Sequence, residues 1–366
     1  MSKKNLLISN ILIKQSSCDS FCKYCYRKDE NKSVDYYQYA GELKNKLDRI
    51  LNFSTSSFNC PVLKIAGGEI FLMSNLYEFV DKILEVYPYV LIQTNGKHLD
   101  DKVLQWIVNK KRILIQMSMD GHVLEMNQYR IDNEEMMDRL RHAIEVLKKN
   151  DVYIEITSVL NNKNTKRYEE FIQYLDNVPS GKKNNNLKVT PILLIDEDKI
   201  YTAKAEDIKT IGRLVDNYDQ YAHILPPKKY MENLYALLKG EKLHYQCYNP
   251  IVSANYTEDG KMKGCTNVLD EEILNVGNIL NESADEILER YGNTKFQKLL
   301  VKTAQWVPLC KTCFNFCSIY NLYLNDSITL EELCQNNMMF DLPEIRQALV
   351  NVKKEIKESE KYNIIR

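Results

Sequence analysis

The chain has 366 residues, 44% of them apolar, enough for one large barrel plus an appendage around a sizeable core. Its 49 Lys+Arg balance 50 Asp+Glu, which leaves no basic field for nucleic acid or anionic lipid. No stretch approaches the roughly 20 apolar residues of a membrane span, and the run Leu6–Ile13 has no signal-peptide cleavage site, so a cytoplasmic protein is expected.

Short β-branched runs predict strands at Leu6–Ile13, Val62–Ala66, Val90–Gln93, Ile113–Met119, Val152–Val159 and Leu187–Leu194. Amphipathic stretches between them predict helices at Asp35–Leu51, Asn75–Val86, Asp100–Val108, Asn133–Lys149 and Thr165–Leu175. Six strand–helix units imply an α/β fold, with a parallel sheet, right-handed crossovers and the length of an open six-unit barrel. The pattern then changes. Residues 1–195 are expected to form the partial barrel and 196–243 a helical bridge. Residues 244–340 are expected to form a cysteine-rich domain and 341–366 a charged C-terminal helix.

Parallel barrels carry their chemistry on the loops that follow the strands. The motifs fall there: Cys18 to Cys25 after the first strand, Gly67-Gly68-Glu69 after the second, Thr94-Asn95-Gly96 after the third and Asp120-Gly121 after the fourth. Ten cysteines in a reducing compartment argue for metal or cluster ligation rather than disulfides. Cys18, Cys22 and Cys25 read CX3CX2C, three thiolates that can hold three irons of a four-iron cluster and leave the fourth open. A zinc knuckle with a distant fourth ligand is the alternative. Further along, Cys247-X12-Gly260-X4-Cys265 includes a predicted hairpin turning at Asp259-Gly260. Cys310-X2-Cys313-X3-Cys317 follows, with Cys334 beyond it. Cys60, alone before Pro61, reads as a core residue.

The CX3CX2C segment with Tyr24 as its aromatic resembles the signature of the radical S-adenosylmethionine superfamily. That resemblance implies a [4Fe-4S] cluster on Cys18, Cys22 and Cys25, with S-adenosylmethionine chelating the open iron. Reductive cleavage would yield a 5′-deoxyadenosyl radical that abstracts hydrogen from substrate, while the protein orients and shields. The resemblance also implies cofactor contacts from Tyr24, from Gly67, Gly68 and Glu69 at the methionine amine, and from Asn95, Ser118 and Arg130. The backbone of Val189–Pro191 is expected near adenine. The second cysteine region resembles the SPASM/twitch extension, which holds one or two auxiliary [4Fe-4S] clusters. One cysteine of the full SPASM pattern is missing. The simpler expectation is one auxiliary cluster on Cys247, Cys265, Cys310 and Cys313, with Cys317 and Cys334 free or in a second, incompletely ligated cluster.

The first functional expectation is a radical enzyme that crosslinks, epimerises or oxidises a ribosomally made precursor peptide. Its partners would be a flavodoxin- or ferredoxin-type electron donor and a separate leader-peptide-binding protein. The second is a dehydrogenase or epimerase of a small molecule such as an aminosugar, with Cys317 or Cys334 returning a hydrogen atom. The third is a non-enzymatic zinc or iron–sulfur protein. No catalytic acid or base is assigned from the sequence.

Overall fold

A computed structural model describes residues 3–25, 33–194, 199–243, 245–265, 272–303, 310, 313–335 and 337–361. The expected breaks at 195–196 and His244, and the tail beyond Lys361, lie outside those residues.

All the predicted barrel strands form: β1 Ile8–Ile13, β2 Val62–Gly67, β3 Tyr89–Thr94, β4 Ile113–Ser118, β5 Ile154–Leu160 and β6 Leu187–Leu193. They pair in chain order and all in parallel. Between them run α1 Gly41–Ser57, α2 Leu76–Val86, α3 Asp101–Lys110, α4 Glu134–Lys149 and α5 Tyr168–Asn177. In α2, Leu76, Phe79, Val80, Ile83 and Leu84 recur at three- and four-residue spacing and are all buried. Asp100 caps α3 by accepting from Val103 N at 2.9 Å, and Asn133 caps α4 by accepting from Met136 N at 2.9 Å. The first helix begins later than the expected Asp35, because Tyr37–Gln38 pairs as a short parallel strand with Met73–Ser74.

Helices α6 Ala205–Asp216 and α7 Lys228–Leu238 follow the barrel, with a single helical turn, Tyr218–Tyr221, between them. Tyr230 of α7 donates to Pro191 O at 2.8 Å, and Val189 N donates to Ile224 O at 3.0 Å. Of the Val189–Pro191 backbone expected near adenine, Val189 N and Pro191 O therefore already have partners within the protein.

The predicted hairpin forms, but it does not stand apart. β7 Ser253–Thr257 pairs in parallel with β1, and β8 Lys261–Lys263 and β9 Asn275–Asn278 follow antiparallel. One nine-stranded sheet results, ordered β6-β5-β4-β3-β2-β1-β7-β8-β9. Gly260 turns the hairpin at φ +82°, a left-handed conformation that favours glycine. Asn10 Nδ2 donates to Asn255 Oδ1 at 2.7 Å, tying β1 to β7 inside the sheet. The chain continues through α8 Phe316–Leu324 and α9 Leu330–Cys334 to α10 Pro343–Lys361. Among the described residues no helix is long and apolar enough to cross a membrane.

Candidate active site

The loop after β1 carries Cys18, Cys22 and Cys25 as partly accessible, unbridged thiols. Cys25 N donates to Cys22 O at 3.1 Å, which closes the loop on itself. Burial pushes the Cys18 thiol up to about 11, and the nearby Glu69, Cys22 and Asp19 add to that, whereas a backbone bond at Ser20 opposes it. Metal ligation needs thiolates, so loading this loop releases protons. Glycine is required where β2 ends: a Cβ on Gly67 would lie 1.8 Å from Ile13 O, and one on Gly68 1.9 Å from Ser17 O and 3.1 Å from Cys18 Cβ. The two backbones press together, and Glu69 N donates to Ser17 O at 2.8 Å. Gly68→Ala is expected to displace the Cys18 loop and at least halve the iron bound after anaerobic reconstitution. Unchanged iron would show that the loop yields without loss.

Glu69 is fully buried, and its carboxylate accepts from Phe71 N at 3.1 Å, Thr94 Oγ1 at 2.8 Å and Asn95 N at 2.7 Å. Burial raises its pKa, against the pull of those bonds. Most of its acceptor capacity thus goes to joining the β2 and β3 loops. Asn95 faces the other way: its Nδ2 donates to Asp19 Oδ1 at 2.9 Å. Asp19 is also met by His98 Nε2 at 2.9 Å, and its backbone oxygen accepts from Lys97 Nζ at 2.9 Å. Burial would raise the Asp19 pKa, but the bonds from His98 and Asn95 and the charges of His98 and Lys97 bring it down to about 2. The turn after β3 therefore clamps the residue beside Cys18.

A second tie reaches the loop after β4. Tyr24 is buried and its hydroxyl donates to Asp120. Arg130 Nε donates to the Tyr24 hydroxyl at 3.2 Å and lies 3.6 Å from Asp120 Oδ2. Asp120 Oδ1 also accepts from Val159 N at 2.9 Å. Burial pushes the Asp120 carboxyl up, and Arg130, Tyr24 and Val159 pull against it. Only the Nε of Arg130 is engaged among the described residues, so its terminal nitrogens are open to an anionic ligand. Ser118 ends β4 half-buried, beside Thr157, with its hydroxyl unpartnered among the described residues.

The second set of thiols divides. Cys247 is within electrostatic reach of Cys265, Cys313 and Cys317, and Cys265 of Cys310 and Cys317. Burial raises all the thiols for which a shift is resolved: Cys310 to about 12, Cys317 to about 11, and Cys247 well above its usual range. Tyr245 bridges the segment, its hydroxyl 3.4 Å from Cys310 O and 3.2 Å from Cys313 O. Cys334 departs from the expectation that it could join a cluster. It is fully buried on α9, and its thiol donates to Phe340 O at 3.2 Å. Its electrostatic partners are Arg346, Asp341 and Glu331 rather than another cysteine. Cys60 packs against the core and donates to Val62 O at 3.3 Å. Among the described residues, no three His, Cys, Asp or Glu side chains converge as ligands of one ion would.

A cavity of about 260 Å³ fills the barrel interior between these two regions. Tyr24 and Gly67 line it on the side of the first cysteine loop, and Cys313 and Cys317 line it on the other. Lys64, Gln93, Gln116 and Thr157 line it from the strands. The sequence reading missed these polar side chains, together with Asp19 and His98. A signal existed for Lys64: a lysine inside Val62-Leu63-Lys64-Ile65-Ala66 interrupts a run that a parallel strand normally buries on both faces. No local pattern marks Asp19 or His98, because they meet only when the turn after β3 folds over the loop after β1.

Comparison with known proteins agrees with this architecture. Residues 12–178 match the Radical SAM superfamily. The uncharacterised protein MJ0907 of Methanocaldococcus jannaschii is 28% identical over 221 residues, 58% of this chain and 71% of that protein. The structure of anSMEcpe with bound AdoMet and the Cp18Cys peptide superimposes with a TM-score of 0.58 at 18% identity, over 95% of this chain and 99% of that one. Streptococcus suis SuiB bound to precursor peptide SuiA gives a TM-score of 0.56 at 13% identity, over 85% of this chain and 71% of that one. The family uses S-adenosylmethionine and a [4Fe-4S] cluster. The segment similar to the radical SAM superfamily, residues 12–178, thus runs from the first strand of the parallel barrel to the helix after the fifth, and the cysteine-rich region follows it.

Proposed function

We propose that the protein modifies a ribosomally made peptide by hydrogen abstraction inside the barrel cavity. One observation carries this reading: a single cavity is lined by Tyr24 and Gly67 beside the first cysteine loop and by Cys313 and Cys317 of the second set. A substrate held there lies between both thiol groups. Cys18, Cys22 and Cys25 would hold the [4Fe-4S] cluster that, with S-adenosylmethionine, supplies the 5′-deoxyadenosyl radical. The donor set fits: three unbridged thiols share one short loop, which Gly68 and Asp19 fix in place. The open nitrogens of Arg130 and the free Ser118 hydroxyl suit the carboxylate and ribose of S-adenosylmethionine. Cys247, Cys265, Cys310, Cys313 and Cys317 would hold an auxiliary cluster of the SPASM/twitch type. The solved relatives described with bound peptides support a peptide substrate. A flavodoxin- or ferredoxin-type donor and a separate leader-binding protein belong to the same proposal.

The test is anaerobic. Reconstituted, reduced protein should release 5′-deoxyadenosine, and a peptide encoded beside its gene should change mass only when S-adenosylmethionine is present. A colourless zinc protein that leaves S-adenosylmethionine intact would sink the proposal. A small-molecule epimerase is the second reading, favoured by the modest cavity and by Cys317 at its wall. Racemised substrate with unchanged oxidation level would select it.

A further inference from the structure

The cavity floor is polar where a parallel barrel normally packs branched apolar side chains. Strand register places Gln93 beside Gln116, and Gln116 beside Glu155. Lys64 Nζ donates to Gln116 Oε1 at 2.6 Å, and Gln116 Nε2 donates to Glu155 Oε2 at 2.9 Å. Gln116 is thereby fixed, and Lys64 reaches across β3 to meet it. Burial raises the Glu155 carboxyl to about 7, against the pull of Thr190, Lys64 and Gln116. The lysine has two N–H groups left and forms no ion pair among the described residues.

Lys64 is the one formally charged side chain among the described residues that line the cavity. Burial pushes its pKa down, while Glu155 and Cys317 pull it up. A desolvated ammonium without a direct counter-ion is costly unless an anion arrives. The groups around it suit one. The Gln93 amide has no partner among the described residues, and Thr157 Oγ1 is buried without one. Leu12, Val159, Ile192 and Phe314 supply apolar walls. At about 260 Å³ the space falls just below drug-sized pockets of roughly 300 Å³ and above, so it takes one side chain or a small acid rather than a folded segment.

We infer that this floor is a carboxylate-binding subsite, in which Lys64 receives the charge and Gln93 and Thr157 donate to the oxygens of an acid with an apolar body. The inference rests on the reading above that the cavity takes the substrate. An acidic peptide side chain, a peptide C-terminus and a free organic acid share this chemistry.

Calorimetric titration of the full-length, cluster-reconstituted protein tests it. The probes are 4-methylpentanoate and its neutral isostere 4-methylpentanamide. The acid should bind at least about tenfold more tightly than the amide, the size expected of a charge-assisted bond. Lys64→Met should erase that preference and Lys64→Arg should keep most of it. Lys64→Glu should turn the preference toward 4-methylpentylamine, which keeps the test informative if Lys64→Met fails to fold. N-acetyl-glutamate N-methylamide and N-acetyl-leucine then separate an acidic side chain from a C-terminus. Equal affinity for acid and amide in the wild type would overturn the subsite. So would wild-type acid binding by Lys64→Met, which would leave Lys64 as a counter-charge to the Cys317 thiolate. Selective acid binding without 5′-deoxyadenosine release would keep the subsite and discard the proposed function. Release without selective binding would do the reverse.

Discussion

Cys22→Ala is expected to lose about four irons per chain and to release no measurable 5′-deoxyadenosine. The reason is stoichiometric: three thiolates serve three irons, so losing one leaves an iron without its protein ligand. Cys22 also sits where the loop closes, since its carbonyl accepts from Cys25 N at 3.1 Å. The side-chain change removes the ligand but leaves that backbone bond intact, so the loop should still form. Cys60→Ala is the control. Its thiol lies against the core, Val62 O and Ser9, away from the first cysteine loop's own bonds, so iron and turnover should stay within about twofold of wild type, with a stability loss of about 1 kcal/mol. Iron assay and chromatography of the quenched reaction read both. Release by Cys22→Ala at the wild-type rate would remove the loop from the chemistry.

Cys247→Ala and Cys334→Ala should part company just as clearly. The structure links Cys247 electrostatically to Cys265, Cys313 and Cys317, and Cys265 to Cys310 and Cys317, and sets Cys334 apart against Phe340 O. Four thiolates complete one four-iron cluster, and five cannot complete two. Wild type should therefore carry about eight irons, Cys247→Ala about four and Cys334→Ala about eight. Cys334→Ala should instead cost stability, about 1–2 kcal/mol, because it empties a buried position and frees a carbonyl. About twelve irons in the wild type would falsify the single auxiliary cluster.

The barrel was legible in the sequence because each parallel strand is a short β-branched run followed by an amphipathic helix. Those local patterns mark all of β1 to β6. The first cysteine loop was legible for the same reason, since three thiols within eight residues form a local signal. The rest depends on distance. Cys317 and Cys334 look alike as spacings, and only the fold of α8 and α9 sends one to the cavity wall and buries the other. Asp19 acquires its role from His98 and Asn95, about eighty residues away. The row from Lys64 through Gln116 to Glu155 spans four strands, β2 to β5, and no sequence window contains it.

The place of β1 in the sheet has a consequence for synthesis. Its partners are β2, about fifty residues downstream, and β7, whose Ser253 pairs with Ile8. At roughly 5–20 residues per second, the ribosome takes on the order of 10–50 s to deliver β7 after β1. Throughout that interval one edge of β1 stands unpaired, a template for wrong partners. The same strand leads straight into Cys18, so the first cysteine loop gains its final flank only when the second cysteine region begins to emerge. Premature arrest before residue 253 should therefore yield aggregation-prone nascent chains.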